Sequence, residues 1–329
     1  MKRFLLNLVF IFFLPLFLIF ASSEILLRSR MNEYKYKNSY LEKNKSTIEL
    51  LCLGPSSGYF GINPHYFNMK AFNATHVSQT INYDNFLWEK FAGQMASLKC
   101  VILTIDYWSP FTTLETSGEP WRTKNYRLYY GCNYHKYDPK SIFETYNFNL
   151  VLWKRVYNSL DDLFKGRVEL GIDSLGYGTD YTLSKRSIDW QGGGPYSAKR
   201  HTKKIDIGIL NQNAQYIDQI CRKCQEKNII VLLLTTPAWA TYVENLNRNQ
   251  QDLMNRFCNS FPSKYPNTYY ISMLEDNRFS EIDFYDTNHL NEFGAKKLSL
   301  IINDTITYFQ HQKSIFPTNK KSQTGYFER

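Results

Sequence analysis

Residues 228–236 (NIIVLLLTT) are apolar almost without interruption. They follow directly on 207–227, a segment whose apolar positions, among them Ile207, Leu210, Ile217 and Ile220, have helical spacing. A strand that is apolar at every position has both faces buried, which in a folded domain means the interior of a parallel sheet covered by helices on either side. The same kind of run recurs at 48–53 (IELLCL) and 100–107 (CVILTIDY), with shorter strands expected at 69–73 and 268–272. Helices are expected at 83–98, 141–164, 207–227, 242–261 and 291–308. This alternation predicts an α/β fold with a central parallel sheet covered by helices on both faces, three layers in the order α/β/α. Such sheets take their ligands at the C-terminal ends of the strands.

The alternation is interrupted between about 111 and 205, which reads as an insertion within one domain spanning 48–312. Ahead of it, 31–47 (MNEYKYKNSYLEKNKST) is polar and charged and reads as a linker; 313–329 reads as a tail. Residues 4–20 are almost wholly apolar, and the run extends to Leu27 across Ala21, Ser22, Ser23 and Glu24. At 1.5 Å per residue that length matches a hydrocarbon core of about 30 Å. Lys2 and Arg3 precede the run, so 1–30 is expected to be a single-pass signal anchor, with cleavage near Ala21-Ser22-Ser23 as the alternative. The basic residues on either side, Lys2 and Arg3 against Arg28, Arg30, Lys35 and Lys37, do not by themselves favour an exported C-terminal part.

The chain carries 39 Lys and Arg against 30 Asp and Glu, a net charge of +9. Residues 1–30 hold +3 of that, and the remainder is a mild excess spread along the chain. No basic stripe is interleaved with stacking aromatics, which argues against a nucleic-acid partner. Of the six cysteines, Cys52 and Cys100 lie in strand-like runs and read as small buried hydrophobes. Cys221 and Cys224 fall inside a helix rather than at its N-terminus, where a redox pair would gain its low thiol pKa. No second pair stands at zinc spacing, and no metal ligand set is expected.

Two elements carry potential chemistry. Gly54-Pro55-Ser56-Ser57 closes the first strand. A serine on a tight strand-to-helix turn exposes its hydroxyl at the sheet edge, beside backbone N–H groups able to face an oxyanion; the plainer reading is turn chemistry alone. Asp286-Thr287-Asn288-His289 stands just before the last helix. Asp and His at this spacing can hydrogen-bond so that the carboxylate fixes the imidazole tautomer; alternatively Asp286 or Asn288 only caps the helix. Arg200-His201 ends the polar insertion and is a candidate contact for an anionic or sugar substrate; the plainer reading is a solvated turn before a helix. Trp108, Trp121, Trp190 and Trp239 are candidates for stacking on sugar rings, or for the core.

Serine at the exit of the first strand, Asp-x-x-His before the last helix and a parallel layer between them resemble the SGNH (GDSL-like) hydrolase superfamily. Pro55 stands where that family's block has Asp. The likeness extends to a bacterial envelope, Bacteroides-type branch through 34–38 (YKYKN), 53–64, 176–186 (GYGTDYTLSKR), 198–202 (AKRHT) and 288–299. The resemblance implies a membrane-anchored, extracytoplasmic serine esterase or O-acyltransferase acting on acyl, foremost acetyl, esters of a cell-surface glycan or lipid-linked polymer. A membrane-bound O-acyltransferase is the implied protein partner, and no cofactor is required. Ser56 would be nucleophile, His289 base and then acid, and Asp286 its orienter. The Ser56 N–H would serve the oxyanion, with the Ser78 N–H as second donor. The sequence departs from the family after the second strand, where 73–79 (NATHVSQ) has no glycine, and after the third, where 105–109 (IDYWS) has no Gly-x-Asn-Asp. Those departures leave a second expectation open: a catalytically degenerate protein that keeps the fold and binds a glycan or a membrane acyltransferase.

Overall fold

The computed structural model describes Arg3 and residues 9–134, 142–146, 150–166 and 170–315. They form two compact units: Met1–Lys43 with Leu114–Gly171, and Asn44–Thr113 with Ile172–Arg329. The stretch 111–205 is thereby divided between them, and Ile172 onward folds with the sheet.

In the first unit a π-helical turn, Val9–Phe13, leads into α1 (Leu14–Ser29). Together, Phe10–Ser29 make a helix long and apolar enough to cross a membrane. Next comes α2 (Glu33–Asn44), on residues the sequence reads as a linker. It is a helix because Tyr34, Lys37 and Leu41 recur at helical spacing and are buried. Tyr34 packs edge-on against Tyr126 and Tyr130, with ring centroids 5.4 and 6.3 Å apart. Low average hydropathy concealed this stripe, because tyrosine and lysine supply it.

The second unit begins with β1 (Leu50–Leu53), α3 (Ser56–Gly61), β2 (Ala71–Asn73), α4 (Ile81–Phe91) and β3 (Cys100–Thr104). The chain passes through the first unit, where it forms α5 (Leu150–Lys165), and returns with α6 (Gly194–His201), α7 (Ile207–Glu226), β4 (Ile230–Thr235), α8 (Arg248–Lys264) and β5 (Thr268–Ser272). A short antiparallel pair, β6 (Phe284–Asp286) and β7 (His289–Leu290), precedes the last helix, α9 (Glu292–Ile315). The five-stranded sheet has the order β2-β1-β3-β4-β5 and is parallel throughout, with Leu50 opposite Ala71 and Cys100, Cys100 opposite Ile230, and Val231 opposite Thr268. The predicted α/β class and parallel sheet are therefore what the chain adopts.

Strand alternation sorts the core. Leu50, Cys52, Ile102, Leu232 and Leu234 cluster with Leu298, Ile302 and Ile306 of α9. Each of the leucine and isoleucine side chains contributes roughly 1.5–3 kcal/mol relative to exposure. Leu51, Leu53, Val101, Leu103, Val231 and Leu233, also buried, occupy the alternate positions, and α4, α7 and α8 pack together in the other helical layer.

Local signals account for the element ends. The Asp206 side chain caps α7 by accepting from Gly208 and Ile209 N–H, at 2.8 and 3.2 Å. The expected helix at 242–261 is instead a single turn, Ala240–Val243, followed by α8, because the Asn247 side chain caps the Gln250 N–H at 3.1 Å. α9 runs past residue 308 to Ile315, since no breaker intervenes before Pro317, and helices stop at or before the residue preceding a proline.

Candidate active site

The sheet order reverses between β1 and β3, and the crevice outside the C-terminal ends of these two strands is where such folds bind ligands. At the exit of β1, Gly54 has φ of +126°, and a Cβ there would fall 2.0 Å from Thr104 Oγ1. Only glycine lets this turn press against the end of β3. Pro55 is extended and precedes α3, and its carbonyl accepts from Gly58 and Tyr59 N–H at 3.1 Å. The N–H groups of Ser56 and Ser57 open the helix, where no intrahelical acceptor exists for them. Asn73 at the end of β2 clamps α3 from beneath, donating to the carbonyls of Gly58 (2.9 Å) and Ile62 (2.8 Å).

The other half of the site comes from the β6–β7 pair, in which Asp286 lies opposite His289. His289 Nδ1 is 2.9 and 3.0 Å from the two Asp286 carboxylate oxygens, and Asp286 also accepts from the Asn288 N–H at 2.9 Å. His289 Nε2 is 2.8 Å from Ser56 Oγ. With Nδ1–H donated to the carboxylate, Nε2 is left as the acceptor for the Ser56 hydroxyl. His289 is buried, which alone would lower its pKa. The charge and hydrogen bond of Asp286, with a further contribution from Asp106, outweigh burial and hold it above 6.5. Asp286 is lowered in return: burial raises it, but the imidazole and the Asn288 N–H prevail.

Aromatic rings wall one side of His289. Phe60, Tyr181 and Tyr285 form a stack with centroids 3.6 and 3.9 Å apart, and Phe60 and Tyr181 both stand edge-on to the imidazole, at 5.9 and 5.3 Å. Arg200 and His201, at the end of α6, lie close to this relay: the Arg200 charge bears on His289, and the charges of His289 and Asp286 bear on His201. His201 Nδ1 is 2.9 Å from the Tyr242 hydroxyl and its Nε2 is 3.3 Å from Arg200 Nη2. Arginine can only donate, so Nε2 accepts and Nδ1 carries the hydrogen. Burial, with Arg200 and His289 nearby, pushes the His201 pKa down to about 3 and keeps the ring neutral. At the β3 exit, burial raises the Asp106 carboxyl above the usual carboxylate range, against the Ser57 hydroxyl and the His289 charge.

No family model matches the chain, and no curated protein matches it. Among solved structures it is similar to a "putative acylhydrolase" of Bacteroides fragilis, at 9% identity and a TM-score of 0.41, covering 82% of this chain and 95% of that one. A "putative platelet activating factor" of Streptococcus pneumonia is similar at 10% identity and a TM-score of 0.40, covering 89% and 97%. Likenesses this distant carry no information about activity.

The structure thus brings Ser56, His289 and Asp286 into one hydrogen-bonded chain and sets Arg200 and His201 beside it. Ser78 lies in the turn between β2 and α4 at φ of +60°, a left-handed conformation that favours glycine. That turn is tied to the β1 exit by the His76 N–H, which donates to Gly54 O at 3.3 Å. Trp190 and Trp239 pack against each other and against Phe284 in the core, while Trp108 approaches His201 at 6.3 Å. All six cysteines are free and buried, and burial pushes the Cys221 thiol up to about 12, away from redox use. Sequence reasoning missed Asp106, Tyr181 and Tyr242 as neighbours of the site, and Asn73 as its clamp. Asp106 lies two residues past the end of β3, at the switch point, and that position was the one available signal.

Proposed function

We propose that this chain is a serine esterase or O-acyltransferase of the SGNH type, acting on acyl esters, foremost acetyl, of a cell-surface glycan or lipid-linked polymer. The observation that carries the proposal is the continuous relay Ser56 Oγ–His289 Nε2 (2.8 Å) and His289 Nδ1–Asp286 (2.9 Å) at the switch point of the sheet. His289 takes the Ser56 proton as Oγ attacks the ester carbonyl, and Asp286 stabilises the imidazolium that forms. The Ser56 and Ser57 N–H groups at the start of α3 receive the oxyanion, with the Ser78 turn as the source of a further donor. His289 returns the proton to the leaving alcohol. Water then completes hydrolysis, whereas a sugar hydroxyl completes transfer. Arg200, held by His201, contacts an anionic or hydroxyl-rich part of the substrate. In this reading α1 anchors the domain on the extracytoplasmic side of the cell membrane, beside a membrane-bound O-acyltransferase.

A fluorophosphonate probe tests the assignment without knowledge of the substrate: the full chain should label, and Ser56→Ala should not. A second reading, a non-catalytic binder of glycan or of the acyltransferase, draws on the β3 exit. There Asp106 offers a carboxyl where the family supplies an amide donor. An intact but unlabelled protein would favour it.

A further inference from the structure

In the first unit, α5 packs against α1. On the side towards the rest of the unit, Leu152 is buried, Arg155 pairs with Glu144 at 2.7 Å and Asp162 faces Arg30 at 3.8 Å. Its outward side carries Trp153, Tyr157, Leu160 and Phe164, which are 39, 69, 39 and 86% exposed. Their spacing of four, three and four residues aligns them in one stripe along the helix. An apolar stripe with two large aromatics at its N-terminal end is costly to leave in water and marks a contact surface.

α1 indicates what that surface meets. The Glu24 carboxylate accepts from the Glu144 N–H (3.1 Å) and from the N–H and hydroxyl of Thr145 (both 2.9 Å), and pairs with Arg28. An anion served in this way belongs to the polar side of a bilayer boundary. N-terminal to it, Phe10, Phe13, Phe17 and Ile19 are 46–66% exposed. C-terminal to it, Leu27 is buried and Arg30 meets α5. α5 therefore lies against the part of α1 that leaves the hydrocarbon. Tryptophan and tyrosine favour that level, and the basic Arg28, Lys154 and Lys165 suit anionic headgroups.

We infer that α5 is an interfacial helix, lying in the headgroup layer of the bilayer that α1 enters, with Trp153, Tyr157, Leu160 and Phe164 turned into lipid. The inference rests on α1 as a membrane span, and its occupant is a phospholipid surface. It gives the first unit a second grip on the membrane and a fixed height above it.

The test uses the full chain in liposomes of phosphatidylcholine and phosphatidylglycerol. An environment-sensitive fluorophore is placed on single variants Tyr157→Cys, Phe164→Cys, Asn158→Cys and Phe17→Cys; the six native cysteines are buried and leave the label selective. Labels at 157 and 164 should show blue-shifted emission and several-fold stronger quenching by shallow nitroxide lipids than the label at 158, which should answer to aqueous iodide. The label at 17 reports on α1 separately. Lipid quenching at 17 with iodide quenching at 157 and 164 overturns the inference while the span stands. Absence of lipid quenching at 17 removes the span and the inference with it. Labels at 157 and 164 shielded from both quenchers also overturn it, since a second copy or a protein partner then covers the stripe.

Discussion

The Ser56 hydroxyl lies 2.8 Å from Nε2 of His289, across 233 residues of chain. The two meet because β1 ends at the switch point of the sheet and because α9, which follows His289, packs against α3, which begins at Ser56. If this pair is the reacting unit, Ser56→Ala and His289→Ala should each abolish hydrolysis of small acetyl esters, with losses of similar size, on the order of 10³-fold or more. Asp286→Asn should cost less than either, because serine and imidazole remain and only the ring orientation suffers. Steady-state rates on the three variants check this, and a fully active Ser56→Ala would sink the assignment.

The pH profile follows from the same contacts. His289 must be neutral to accept the Ser56 proton, and Asp286 holds its pKa above 6.5. Activity should therefore be low at pH 6 and rise through an apparent pKa above 6.5. In Asp286→Asn the supporting charge is gone, and the residual activity should rise at lower pH than in the wild type. Rate profiles of both proteins decide the matter; identical midpoints would mean that Asp286 does not tune the imidazole.

His201 links stability to acid. Its folded pKa, about 3, lies below its unfolded value of 6.5. Between those values the unfolded chain binds more protons than the folded one, so stability rises with pH. The contribution of the neutral ring is fully present above pH 6.5 and is lost as pH falls from there towards 3. His201→Gln, which removes this titration, should lose less thermal stability than the wild type between pH 7.5 and pH 4.5. Thermal melts at the two pH values provide the comparison, and equal losses would place the acid sensitivity elsewhere.

Gly54 is the backbone condition for the site. Gly54→Ala combines strain at φ of +126° with a Cβ 2.0 Å from Thr104 Oγ1. The expected loss is about 3 kcal/mol or more from strain and overpacking together. Paired with Thr104→Ala, which removes the hydroxyl, the variant should remain destabilised, because the Thr104 backbone oxygen and nitrogen, at 2.7 and 3.0 Å, are also in the way. Denaturation midpoints of the single and double variants report this directly.

Arg200→Ala should raise KM for an anionic or sugar-borne ester several-fold and leave kcat for a small neutral acetyl ester nearly unchanged. The reason is that Arg200 faces the site without joining the Ser56–His289 relay. A parallel fall in kcat on the small ester would move Arg200 into the chemistry.

The sequence alone determined the layered sheet. Stretches such as 229–234 and 100–103 are apolar at every position, and that pattern is satisfied only when both faces are covered, so β3, β4 and the helix α7 were legible from local periodicity. It also exposed Ser56 and the Asp286–His289 pair, because a glycine turn and a three-residue spacing are local features. Only the tertiary structure decided which groups surround them. Arg200, Tyr181 and Asp106 come from distant segments, and their proximity to His289 depends on how α6, the 172–181 loop and β3 converge at one sheet edge. The polar residues 33–44 became a helix for the same reason: Tyr34 gains its partners, Tyr126 and Tyr130, from nearly a hundred residues later, and no local pattern encodes a contact at that range.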